Sequence, residues 1–244
     1  ALDWQKLVEM VVRMLNERHL LLQFDDKSVA ALLADLEWDG GIHPGNGDFL
    51  MVVDSNIGYN KANPVVETLY TYDVDLTQPQ APESILVVSQ ANASPSTRSC
   101  VQYGGATPED NRYPIYHCYW NYLRVYALTG ATLTDATPHQ VPADWMILQQ
   151  SIPARVDTLD EKITGVQGYG TMVVVPGGQT YDTRFTFALP ARVVSQQAGT
   201  KSFTYSLKLK KQPGTSVVPV VLRVHLPPSA RVDAVNLKAV MDGA

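Results

Sequence analysis

The sequence lacks most of what would point to a familiar activity. No apolar run approaches the ~20 residues that span a membrane as a helix. Basic side chains are outnumbered, 19 Lys and Arg against 24 Asp and Glu, for a net charge of -5. That balance argues against a nucleic-acid partner, which needs a basic face. The five histidines, at 19, 43, 117, 139 and 225, are scattered, and none has a second histidine three or four positions away. There is no Gly-x-Ser-x-Gly elbow, no phosphate-binding Gly-x₄-Gly-Lys-Ser/Thr loop and no Gly-x-Gly-x-x-Gly after a strand. These absences remove the common hydrolase, nucleotide and dinucleotide chemistries, and no cofactor is expected. No repeat of fixed period and no long low-complexity tract is present.

Cysteine is nearly absent, with Cys100 and Cys118 as the whole complement. No Cys-x-x-Cys pair or neighbouring His-x₃-His completes a zinc site, so no metal is expected. Two free buried thiols are one reading. A disulfide is favoured, because the intervening loop is short and has turn residues at its middle. It would imply an oxidising compartment. The first residues, Ala1-Leu2-Asp3-Trp4-Gln5-Lys6, have no basic start followed by an apolar block, so no signal peptide is expected within them. An exported protein would have lost that segment or carry it upstream.

What is present is enough apolar material, 45% of 244 residues, to build a real core in one large domain or two small ones. Residues 3–18 read as an amphipathic helix with Trp4, Leu7, Val8, Val11, Met14 and Leu15 on one stripe. Residues 19–24 read as a short buried strand. Asp25 or Asp26 then caps a second helix through Leu36, ended by Gly40-Gly41. The run 49–53 is the next strand. Residues 1–63 therefore suggest a small α/β layer, either the end of a larger upstream domain or a layer packed on the sheets formed by the rest of the chain.

From residue 64 the hydrophobic period changes to two. Tyr70, Tyr72, Val74 and Leu76 alternate with polar residues. Further strands are expected over 85–92, 119–128, 168–175 and 181–189. The strand 119–128 is apolar on both faces and should be central. Residues 130–153, rich in Thr and Pro, read as a long connection. Residues 203–210 and 218–226 read as a hairpin around Gln212-Pro213-Gly214-Thr215. The expected class is α+β, mainly β: an N-terminal α/β segment (1–63) followed by an antiparallel, Ig-like β-sandwich (64–244).

The stretch 48–61 stands out, an apolar run that ends abruptly in Asp54, Ser55, Asn56, Gly58, Asn60 and Lys61. Carboxylate and amide oxygens at a strand end suit sugar hydroxyls or a hard cation. The alternative is that Asp and Asn cap their own loop, as in Asx-turns. The spacing is not that of an EF-hand. Tyr113, Tyr116, Tyr119, Trp120 and Tyr122 surround Cys118, either as a sugar-stacking platform or as a core packed around a disulfide. Asp73 and Asp75 on a strand, and Lys201, Lys208, Lys210 and Lys211 near the end, read chiefly as solvated faces that discourage edge pairing. Asn92-Ala93-Ser94 is a formal glycosylation sequon, weakened by Pro95.

Phe24-Asp25-Asp26, Trp38-Asp39-Gly40 and Val52-Val53-Asp54-Ser55-Asn56-Ile57-Gly58-Tyr59-Asn60-Lys61 resemble the C-terminal part of the bacterial domain of unknown function 4012 family. Tyr122-Leu123-Arg124-Val125-Tyr126 and Lys211-Gln212-Pro213-Gly214 fit the same resemblance. It implies a chain tethered through an upstream membrane helix and facing the cell exterior. It implies no activity. The expected function is thus an extracellular structural or assembly module of a bacterial envelope or filament, joining copies of itself or other surface proteins, without catalysis. A surface glycan-binding module contacting envelope polysaccharide is the alternative. An envelope polymer-modifying enzyme using Asp54 ranks third.

Overall fold

The computed structural model describes residues 3–58, 60–95, 99–101 and 117–237. Two helices precede a set of strands that build two five-stranded sheets. Helix α1 (Trp4–Asn16) starts at Asp3, whose side chain accepts the Lys6 N–H, and α2 (Lys27–Asp35) starts at Asp26, whose carboxylate accepts the Ser28 and Val29 N–H groups. These caps satisfy donors that a helix start leaves without partners.

The first sheet contains β1 (Asp48–Val53), β4 (Tyr119–Leu128), β6 (Asp157–Leu159), β7 (Val166–Val175) and β11 (Leu207–Lys210), in the order β11-β1-β4-β7-β6. The second contains β2 (Val66–Asp75), β3 (Glu83–Asn92), β5 (Thr132–Thr137), β8 (Thr180–Ala188) and β12 (Val220–His225), in the order β12-β2-β3-β8-β5. A separate ribbon pairs β9 (Val194–Gln196) with β10 (Phe203–Tyr205). The inward side chains of both sheets, among them Leu50, Val52, Val74, Leu86, Leu123 and Phe185, share one buried cluster. The protein is therefore α+β, mainly β, and sandwich-like, as its period-two patterning suggests.

The strand β4 is central, as its two apolar faces require. Tyr119, Leu123 and Val125 point into the sandwich. Trp120 points out, where Met172, Val174, Val141 and the two cysteines bury it. Cys100 and Cys118 form a disulfide. Next to β4, Gly170 of β7 has no room for a side chain: a Cβ there would lie 2.5 Å from the Tyr122 hydroxyl. That glycine lets the tyrosine cross the sheet.

Several local expectations are corrected. Residues 19–24 form no strand, and Leu21 and Phe24 stay 40% and 54% exposed. Residues 132–137, expected as connection, form edge strand β5, since alternating Thr residues suit an exposed pleat. The second helix is ended by Glu37 in the left-handed region (φ 58) and not by the glycines at 40 and 41. The expected 203–226 hairpin does not form. β11 adds in parallel to β1 in one sheet, and β12 adds in parallel to β2 in the other. β1, from the segment before residue 63, is thus hydrogen-bonded on both sides to strands from beyond it.

Lys208 and Lys210 are not a solvated face either. They lie on the outer side of β11 and converge on Glu37. Glu37 also receives Arg18 at 2.5 Å. Arg18 (φ 59), like Glu37, is the left-handed residue that ends its helix, so the two helix ends are pinned to each other and to β11. Burial pulls the Lys210 amine below its ordinary range, with the nearby Arg18 charge acting the same way and Glu37 opposing both. Glu37→Gln would leave three cations without their carboxylate. Because Glu37 is one-third exposed, we expect a loss of about 2 kcal/mol, below that of a fully buried pair, in urea unfolding.

Cys100 and Cys118 are 18 residues apart. Closing such a loop contributes about 3 kcal/mol in the chain-entropy picture. The double variant Cys100→Ser, Cys118→Ser should lose about that amount in equilibrium unfolding. A loss below about 1 kcal/mol would show that the unfolded chain is not measurably constrained by the bond.

Candidate functional site

Residues 54–58 leave β1 and cap the start of β4. The Ile57 N–H donates to the Trp120 carbonyl at 2.9 Å, and the Tyr122 N–H donates to the Ser55 carbonyl at 3.0 Å. A Cβ on Gly58 would come within 2.9 Å of Trp120, so the loop lies directly on that indole.

Asp54 is half-buried where the chain leaves β1. Its backbone is paired by a side chain: Gln212 Oε1 accepts the Asp54 N–H at 2.8 Å, and Gln212 Nε2 donates to the Asp54 carbonyl at 3.0 Å. This amide continues the parallel β1/β11 ladder by one step. The carboxylate turns into the sandwich. Its Oδ1 accepts from Gln90 Nε2 at 2.9 Å and from Asn121 Nδ2 at 2.5 Å. Burial pushes the Asp54 carboxyl above its ordinary value, with the two amide hydrogen bonds opposing. Tyr70 and Tyr119 are pushed up by burial too, and the Asp54 charge adds to that.

The other loop residues serve the loop. Asn56 Oδ1 accepts the Gly58 N–H at 2.9 Å, and Asn56 Nδ2 donates to Asn63 Oδ1 at 2.6 Å. Asn60 Oδ1 accepts the Ala62 N–H, while Asn60 Nδ2 donates to the Cys118 carbonyl. Ser55 Oγ accepts from Arg124 at 3.0 Å. Lys61 is exposed. The Asx-turn alternative thus describes Asn56 and Asn60.

Tyr119 and Trp120 do not join this group as a surface platform. Both are 2% exposed, and they belong to clusters on opposite faces of the sheet. A buried ring presents no face to a sugar. Tyr113 and Tyr116 lie outside the described residues. Asp73 meets Arg223 at 3.2 Å, and Asp75 accepts the Thr77 N–H, so neither forms a carboxylate pair with the other. Among the described residues, no group of three or more His, Cys, Asp or Glu could hold a metal ion.

Sequence reasoning missed Gln90, Asn121 and Gln212, and it missed Asp48. Gln90 and Asn121 occupy inward positions of β3 and β4, where an apolar residue would fit the alternation. An uncharged amide at a core position is the signal that could have found them. Asp48 is 1% exposed. Its Oδ1 accepts the Phe49 N–H, and its Oδ2 accepts the hydroxyls of Tyr72 and Tyr205. Burial raises its pKa against those hydrogen bonds.

Compared with known proteins, the chain matches no family model, no curated protein and no solved structure.

The raised Asp54 pKa has a defined consequence for stability. A carboxyl whose folded pKa exceeds its unfolded value favours the folded state when protonated, and that contribution is lost as pH rises from the unfolded value through the folded one. Asp54→Asn keeps an acceptor for Gln90 and Asn121 and removes the charge. The melting temperature of Asp54→Asn relative to the unsubstituted protein should therefore climb as pH rises above the ordinary carboxylate range. A difference that stays constant with pH would show that Asp54 ionises as freely when folded as when unfolded.

Proposed function

We propose that this chain is an extracytoplasmic assembly module of a bacterial surface, one that works by holding copies of itself or other surface proteins together and not by catalysis. The observation that carries this reading is the apolar surface of the helical segment. Trp4 and Val8 of α1 are 69% and 59% exposed, Leu32 of α2 is 57% exposed, and Leu36 just beyond it is exposed as well. A helix with a strong apolar stripe ordinarily buries it against a core. Here only Leu15 and Leu33 of the two helices are buried. Exposed apolar faces of this kind are characteristic of protein association.

The disulfide supports the surface location. The Cys100–Cys118 bond suits an oxidising compartment. No helix among the described residues is long and apolar enough to cross a membrane. The resemblance to the domain of unknown function 4012 family implies a chain outside the membrane, tethered upstream.

The test is native mass without reductant over a wide concentration range, with the same sample imaged by electron microscopy. A defined oligomer or filament is expected. Trp4→Glu combined with Leu32→Glu should dissociate it while leaving the melting temperature within a few degrees, because both positions are exposed. A monomer at every concentration, with no partner recovered from the native envelope, would end the assembly reading.

A further inference from the structure

The two sheets do not close on each other along one side. Val220, Leu222 and Val224 of β12 stand in register with Tyr70, Tyr72 and Val74, and so face inward. They nevertheless remain 40%, 37% and 38% exposed. Opposite them, Leu209 on the edge strand β11 is 41% exposed. Between these edges lies a cavity of about 140 Å³, lined by Leu50, Val52, Tyr70, Leu209 and Val220 and with Asp54 in its wall. An apolar core cavity of about 150 Å³ accepts a benzene ring, so this one has room for a ring or a branched aliphatic group.

Asp48 and Asp54 make an internal comparison. They lie six residues apart, one at the first position of β1 and the other just past its last, on the inner side. Asp48 is buried and Asp54 half-buried, and each receives a donor from the opposite sheet. In Asp48 both oxygens are occupied. In Asp54 both donors go to Oδ1, and among the described residues none reaches Oδ2. Asp54 is only half-buried, so its second oxygen stands open beside the apolar wall, where a donor from outside the chain can reach it.

The other polar groups around the cavity are already committed. Lys210 also lines the cavity, but its Nζ meets Glu37 at 3.4 Å. Lys211 Nζ donates to the Glu17 and Gln212 carbonyls. The Gln212 amide is held by the Asp54 backbone, and Thr215 Oγ1 donates to the Gln212 carbonyl. The cavity therefore offers an apolar body site with one unmet carboxylate oxygen.

We infer that this seam is a binding site for a primary ammonium carried on a small apolar body, with Asp54 Oδ2 receiving the ammonium and Leu50, Val52, Leu209 and Val220 enclosing the rest. This goes beyond the assembly reading and does not depend on it. The same chemistry is available from a free amine or from a lysine side chain of a protein.

The probes are benzylammonium, its neutral counterpart benzyl alcohol, and Nα-acetyl-lysine methylamide, titrated into the oxidised protein at neutral pH and followed by amide chemical shifts. Saturable binding of an ammonium probe is expected, with shifts confined to β1, β11 and β12. Benzyl alcohol and the Asp54→Asn variant should each bind about tenfold more weakly. Val220→Trp, which fills the cavity and leaves Asp54 in place, should abolish binding. Tighter binding of benzylammonium assigns the site to a free amine, and tighter binding of the lysine derivative assigns it to a protein side chain; either supports the site. Absence of saturable binding by both ammonium probes, or equal binding by Asp54→Asn with its fold intact by circular dichroism, would overturn it.

Discussion

The architecture depends on two carboxylates at the two ends of one fully buried strand. All six residues of β1 are buried, and an aspartate stands at its first position and another immediately after its last. Side chains six apart on a strand point the same way, so Asp48 and Asp54 both enter the sandwich. Asp48 is met by Tyr72 of β2, and Asp54 by Gln90 of β3. Each end of β1 is thereby tied to the opposite sheet. Sliding β1 by one residue would turn both carboxylates to the outer face and both tie points would be lost. Burying them has a cost, visible in the raised pKa of each. That cost makes the alternative registers worse, because a buried charge without its donors is far more expensive than one with them.

The rest of the first sheet is built on this placement. With β1 fixed, β4 pairs with it on one side and β11 on the other. The outer side of β11 then carries Lys208 and Lys210 to Glu37, and Glu37 brings Arg18. Helices whose apolar stripes are largely exposed are thus held at their ends by charge and not along their length by packing. This division of labour leaves Trp4, Val8 and Leu32 free to make contacts elsewhere. On the far side of β4, the disulfide and Val141 cover Trp120, so the two faces of the central strand are buried by different means.

Strand positions were legible in the sequence where alternation was clean, as over Tyr70–Leu76 and Tyr181–Leu189, and where both faces were apolar, as over 119–128. Partner choice was not. Alternation in 203–210 and 218–226 reads each as one strand with one apolar face, but 203–210 divides into β10 and β11, and alternation does not say which edge each will join. The Gln212-Pro213-Gly214-Thr215 turn has the composition of a hairpin loop. It carries the chain from one sheet to the other, and its glutamine pairs with Asp54. In the candidate site, Asp54 was visible as an acid at the end of an apolar run. Its amide partners were not, because Gln90 and Asn121 come from strands distant in sequence, and only the fold brings three polar side chains to one buried point. Lys208 and Lys210 mislead for the same reason: alternating lysines look solvated until a distant Glu37 is placed over them.

The open seam has its origin in topology. The two strand pairs that run parallel in the five-stranded sheets, β1 with β11 and β2 with β12, lie on the same side of the sandwich. Neither can be made by a local hairpin, since parallel neighbours need a long connection. The last strands must therefore lay themselves along the first, across more than 140 residues of chain between Asp73 and Arg223. Such contacts carry the largest loop-closure cost. β11 contributes only four residues, and β12 is exposed along its whole length, so little burial offsets that cost here. The side of the sandwich with the weakest closure is also the side where Asp54 leaves one oxygen unmet. Local opening in proteins is drawn from segments of low contact density. A site bordered by such strands can admit an occupant without disturbing the core that Asp48 holds at the other end of β1.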